Sequence, residues 1–114
     1  MTKQVSDMVS SWIICTENFW AHEALNELID SDPQQAWLII QEIAKHDFDD
    51  ESKAMFAAGP LEEFLAKNGP RFIDRIEAKA KVDPKFNDLL GGVWKNTMSD
   101  EVWARVEATR RHSW

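Results

Sequence analysis

Asp32-Pro33-Gln34-Gln35-Ala36-Trp37-Leu38-Ile39-Ile40-Gln41-Glu42-Ile43-Ala44 is the stretch that decides the fold class of this 114-residue chain. Proline fits the first turn of a helix, where its missing N–H is not needed and its fixed φ is already helical. Aspartate just before it can accept from the free N–H groups of that turn, and Gln35 stands where a capping-box partner belongs. Ala36, Trp37, Ile40, Ile43 and Ala44 then recur at helical spacing. The stretch predicts a helix that ends near Lys45 or His46. The other three prolines repeat the punctuation. Each of the four follows an aspartate or a glycine (Asp32-Pro33, Gly59-Pro60, Gly69-Pro70, Asp83-Pro84), and an apolar pattern of helical period begins after each.

Working outward, Val5, Met8, Val9, Trp12 and Ile13 predict a first amphipathic helix over about 3–15, and Ala21, Ala24, Leu25 and Leu28 a second. Residues 46–51 have no helical period and read as a connection running into a short helix through Met55 and Phe56. Gly59-Pro60 is expected to start a helix carrying Leu61, Phe64 and Leu65, which Asn68-Gly69 stops. Pro70 starts the next, with Phe72, Ile73, Ile76 and Ala80 inward and Glu77 and Lys81 as an outer i, i+4 pair. After Asp83-Pro84, Phe86, Leu89, Leu90, Val93 and Trp94 are periodic, although Gly91-Gly92 interrupts them. Ser99 caps a last helix with Val102, Trp103 and Val106 inward and Arg110 and Arg111 near its end. No strand pattern competes. The expectation is an all-α, single-domain bundle over residues 1–114, of about six to eight short helices. A weak likeness between the segments that follow the two Asp-Pro pairs makes HEAT-like helical hairpins one arrangement it allows.

The chain carries six Trp and six Phe, and 44% of its residues are hydrophobic, enough for a core without disulfides. The single cysteine, Cys15, cannot make an intrachain bridge and sits in the apolar run Trp12-Ile13-Ile14-Cys15, so a reducing cytoplasm is the expected compartment. No basic leader with a long apolar stretch opens the chain, and no apolar run is long enough for a bilayer. A net charge of −7 argues against binding nucleic acid or anionic membranes directly. The charge is uneven: residues 1–57 hold eleven acidic and three basic side chains, residues 58–114 nine and ten. Such asymmetry marks a charged interaction face.

Catalytic and metal signatures are weak. His22-Glu23 begins like a zincin helix, but position 26 is Asn rather than the second His. His46-Asp47 resembles half of a metal dyad without further ligands, since the only other histidines are His22 and His112. Cys15 lies among apolar residues rather than beside a base, so it reads as core. Ser10-Ser11 and Ser99 lack a nucleophile elbow, and Gly91-Gly92 lacks the glycines of a phosphate loop. The expectation is therefore no catalytic residue, no metal and no cofactor.

Asp47, Asp49, Asp50 and Glu51 surround Phe48 and form the densest acidic run. A calcium loop would need a central glycine that is absent. The bland reading is a solvated loop; the sharper one is a contact surface in which carboxylates steer a basic partner and Phe48 supplies buried area, with Glu42 and Asp30 as rim. A second candidate patch is Asp74, Arg75 and Glu77, read either as a recognition face or as an ion-pair network between helices. Trp114 is the tryptophan expected to be exposed.

The motifs Asp32-Pro33-x-x-Ala36-Trp37-x-x-Ile40, Ala57-Ala58-Gly59-Pro60-Leu61-Glu62, Phe72-Ile73-Asp74-Arg75-Ile76-Glu77, Asp83-Pro84-x-Phe86-x-x-Leu89-Leu90-Gly91-Gly92-Val93-Trp94 and Val102-Trp103-x-Arg105-Val106 resemble those of a family of small bacterial all-helical proteins of unknown function. The resemblance covers about Trp12 to Val106 and implies a compact stand-alone helical domain. It supplies no activity.

Together these observations favour a small acidic, non-enzymatic protein-binding domain of the cytoplasm. Its narrower form is an inhibitor or immunity protein that neutralises a basic, nucleic-acid-processing partner. The alternative is a self-associating scaffold, such as a homodimer, or a small-ligand module; a hydrolase is the third reading.

Overall fold

The computed structural model describes residues 19–45 and 50–111. Their regular structure is all helical, with no strand among them: α1 (Phe19–Ser31), α2 (Pro33–Ala44), α3 (Asp50–Phe56), a π-helical turn (Ala57–Leu61), α4 (Glu62–Val82), α5 (Pro84–Leu90) and α6 (Asp100–Thr109). The expected helix over 3–15 and Trp114 lie outside the described residues.

The three caps expected from sequence are formed. Asp32 Oδ1 accepts from Gln35 N at 3.3 Å, Asp83 Oδ1 from Lys85 N and Phe86 N at 3.1 and 3.3 Å, and Ser99 Oγ from Val102 N at 3.2 Å. Each satisfies amides that the helix itself cannot pair. Partial burial opposes the charge on Asp83, but Lys79 and these amides outweigh it and hold its carboxyl below the ordinary range.

The other two prolines behave differently. Residues 50–82 are helical without a break, so Gly59-Pro60 and Gly69-Pro70 start no new helices and Asn68-Gly69 stops none. The described chain therefore has five continuous helical segments, one of them long, rather than a row of short ones. Physical reasons are visible at each point. The π-helical turn brings Glu62 N to the carbonyl of Ala57, five residues back, and so carries Pro60 through a region where an α-helical N–H would be missing. Glycine before each of these prolines has no Cβ to clash with the pyrrolidine ring. Pro70 is exposed, on the face where a carbonyl left without its helical donor can turn to water.

Asn68 and Gly69 are used across the bundle. Asn68 is buried and donates through Nδ2 to Ile29 O at 2.9 Å, satisfying a carbonyl in the last turn of α1. Gly69 lies where α4 meets α6, and a Cβ there would stand 2.8 Å from Val102 Cγ1.

One continuous core joins these elements. α2 buries Ala36, Trp37, Ile39, Ile40, Ile43 and Ala44 in it. Trp37 stacks on Phe64 at 5.8 Å between ring centroids and meets Phe86 edge-on at 5.7 Å, while Phe64 meets Phe72 at 5.0 Å. This cluster ties α2, α4 and α5 together. α5 ends at Leu90 in a turn at Gly91-Gly92, four residues short of the periodic pattern. That early end turns Trp94 outward: it is 69% exposed, where periodicity placed it inward.

Candidate functional site

The π-helical turn borders a cleft of about 470 Å³. α1 contributes Asn26, Glu27 and Asp30; the turn contributes Ala58 and Gly59; α4 contributes Glu62, Glu63 and Lys67; the loop before α6 contributes Asn96. A Cβ on Gly59 would meet nothing within 4 Å, so the wall is open there. An adjoining cleft of about 320 Å³ shares Asn26, Ala58 and Gly59 and adds Pro60 and Met55, which is 40% exposed. The result is a groove, polar and acidic at one end and apolar at the other, along a backbone irregularity of the kind often found at functional positions.

Its charge is one-sided: four carboxylates face one ammonium among the lining residues. Lys67 Nζ lies 2.9 Å from Asp30 Oδ1 and 3.0 Å from Glu63 Oε1, and these two contacts hold the ammonium above its ordinary range. Asp30 stands in the last turn of α1, a position that the helix dipole disfavours for an anion by about 0.3–1 kcal/mol at exposed sites. α1 has no basic residue of its own there, so Lys67 of α4 does the offsetting. Among the described residues Glu27 has no such cation, and Glu23, one turn earlier, extends the exposed acidic stripe.

Glu62 is the buried member. Its Oε1 accepts from Trp94 N at 2.8 Å and its Oε2 from Asn96 Nδ2 at 3.1 Å. One carboxylate thus fixes the loop 91–99, including Asn96, whose φ of 45° is in the left-handed region. On either side Val93 and Met98 are buried, Val93 O accepts from Arg110 Nη1 at 3.2 Å, and Lys95 pairs with Asp100.

The residues singled out from sequence are only partly brought to this groove. Asp47, Phe48 and Asp49 lie outside the described residues. Asp50 opens α3, Glu51 is exposed, and Glu42 pairs with Lys45 at 2.8 Å on the exposed end of α2. Asp30, named as rim, is in the groove. Asp74 and Glu77 both receive Arg105 of α6, with Arg105 Nε donating to Glu77 Oε2 at 3.0 Å. This contact holds the Glu77 carboxyl below its ordinary range and the guanidinium above its own. Glu77 is therefore engaged by Arg105 rather than by the expected i, i+4 ion pair with Lys81. Arg75 donates to Gln34 Oε1 at 2.8 Å and lies over the Phe72 ring at 4.9 Å, so it ties α4 to α2. The Asp74, Arg75 and Glu77 group joins α4 to α2 and to α6.

Sequence reasoning missed Glu27, Glu62, Glu63, Lys67 and Trp94. For Glu27 the available signal was the excess of acidic residues in the first half of the chain; Glu62, Glu63, Lys67 and Trp94 lie in the nearly neutral second half, where that signal is absent. Among the described residues no three His, Cys, Asp or Glu side chains form a metal-ligating group, and no helix is long and apolar enough to cross a membrane.

Residues 14–114 match a family described as a family of unknown function, DUF6869, and the chain belongs to it. No curated protein and no solved structure matches the chain significantly.

Proposed function

We propose that this member of a family of unknown function is a small, non-enzymatic protein-binding domain whose acidic face engages a basic surface of a partner. One observation carries the reading: Glu27, Asp30, Glu62 and Glu63 line a single cleft against the lone cation Lys67. Carboxylates crowded in a concave, partly desolvated site reinforce one another's field, which speeds encounter with a cationic surface and selects against anionic ones. The non-enzymatic part is supported by how these groups are occupied. Glu62 is committed to the loop, and Asp30 and Glu63 share Lys67, so their role is to shape potential and backbone.

The narrower form is an inhibitor or immunity protein in which carboxylates take the place of phosphates on a nucleic-acid-processing enzyme. The acidic run Asp47–Glu51 belongs to the same proposal, since it leads into α3, whose Met55 borders the apolar end of the groove. A HEAT-like pairing of α1 with α2 is part of it too, supported by their connection through the single residue Asp32. A reducing cytoplasm is the proposed setting, supported by the lone cysteine.

The test is affinity capture from source-organism lysate at low and high salt, with the wild type and with Glu27→Lys/Asp30→Lys/Glu63→Lys as baits, helicity being checked by circular dichroism. The reading expects a basic protein that the wild type retains, salt releases and the triple variant fails to hold. Equal capture by both baits would reject this face. Recovery of the bait alone, with a mass that rises with concentration, would replace the reading by self-association.

A further inference from the structure

Trp94 is large, apolar and 69% exposed, yet its loop is tied down at several points. Its own amide is bound by the buried Glu62, and the side chains before and after it are either buried or ion-paired. An exposed indole on a mobile loop would lose conformational freedom on binding; one on a fixed loop has already lost it, which is the condition for an interface anchor. The hydrogen bond that its amide donates to Glu62 also puts the Trp94 backbone at the edge of the acidic cleft, because the same carboxylate lines it.

The chain itself shows what its aromatic rings accept. Arg75 lies 4.9 Å and Arg71 5.9 Å from the Phe72 centroid, and Arg110 lies 4.9 Å from that of Trp103. Trp94 has no ring or cation partner among the described residues, and its neighbour Lys95 is committed to Asp100. An open indole face beside a net-negative cleft is complementary to a planar cation, which gains from the ring quadrupole and the carboxylate field together.

We propose that Trp94 is the anchor of the binding face and takes an arginine side chain of the basic partner, stacked on the indole with the adjoining chain directed into the Glu27, Asp30 and Glu63 cleft. This rests on the acidic-face reading above and adds to it the residue and the chemistry that give it specificity.

The experiment uses the full chain, isotope-labelled, and an acetylated hexa-arginine peptide as probe at 50 and 300 mM salt. The Trp94 indole N–H resonance is assigned by its loss in Trp94→Phe. The expected result is a peptide-dependent shift of that resonance together with the backbone amides of 26–30 and 63. Trp94→Ala should bind about three- to ten-fold more weakly, Trp94→Phe falling between, and the difference should persist at 300 mM salt because it is not purely ionic. Shifts of the α1 and α4 amides with a still indole and an unchanged affinity for Trp94→Ala would overturn the anchor while leaving the acidic face standing. No shift anywhere would overturn both. An indole shift that follows protein concentration without peptide would assign the residue to self-association instead and also overturn the proposal.

Discussion

A Cβ on Gly69 would stand 2.8 Å from Val102 Cγ1 and 2.9 Å from Cγ2, so α4 and α6 approach closely only because position 69 has no side chain. Val102 is buried and β-branched, and its methyl groups have one preferred rotamer in a helix, so it cannot yield cheaply. Gly69→Ala gains about 1 kcal/mol of helix propensity but forces an overpacking cost of about 1–3 kcal/mol. Urea unfolding should show a net loss of stability, and Val102→Ala in the same chain should recover part of it. Strict additivity of the two substitutions would contradict the close approach.

Among the described residues Glu62 is the one acceptor for both the Trp94 amide and the Asn96 side chain. Glu62→Ala leaves both without a partner at a part-buried position, at a cost of about 1–3 kcal/mol. Amide exchange at Trp94 should accelerate in that variant well before global unfolding, and Glu62→Gln should be milder because it still accepts from Trp94. Unchanged exchange would mean that the loop is held by its other contacts, the buried Val93 and Met98, the Arg110 hydrogen bond to Val93 O and the Lys95–Asp100 pair.

Asn87 is buried and fully used: Nδ2 donates to Ala80 O at 3.2 Å and to Thr109 O at 3.1 Å, and Oδ1 accepts from Arg111 N at 2.9 Å. Asn87→Ala should cost about 2–3 kcal/mol through these unpaired groups. Asn87→Asp should be worse, since it turns a second oxygen toward two carbonyls. Thermal melts that rank the aspartate variant above the alanine one would overturn this assignment.

Acid should weaken the α4–α6 contact. Arg105 holds Glu77 below its ordinary 4.5, so the ion pair stabilises the fold fully above that pH and is lost as pH falls through the lower native value. Glu77→Gln should therefore be less stable than wild type at pH 7, and the gap should narrow steadily below pH 4.5. A gap independent of pH in denaturant titrations would show that Glu77 acts by packing alone.

The helical character was legible throughout, and the prolines show both the reach and the limit of that reading. Asp32-Pro33 and Asp83-Pro84 start helices because aspartate can cap; Gly59-Pro60 and Gly69-Pro70 lie inside one, because glycine removes the clash and tertiary partners use Asn68 and Gly69. Asn68-Gly69 looks like a stop signal only until Ile29 and Val102 are known to face it. Trp94 fits a helical period, but the period has no meaning once the helix ends at Leu90. The acidic bias of the first half was readable, whereas the cleft was not. Glu27 and Asp30 meet Glu62 and Glu63 over more than thirty residues of chain, through packing that no local pattern encodes.

The most direct measurement of the acidic-face account is carbodiimide labelling of carboxylates in the complex with the captured basic partner, read by mass spectrometry. The account predicts that Glu27, Asp30 and Glu63 become protected while the exposed Asp74, eleven residues farther along α4 than Glu63, stays labelled. Full labelling of those three residues in a saturated complex would place the partner elsewhere and contradict it.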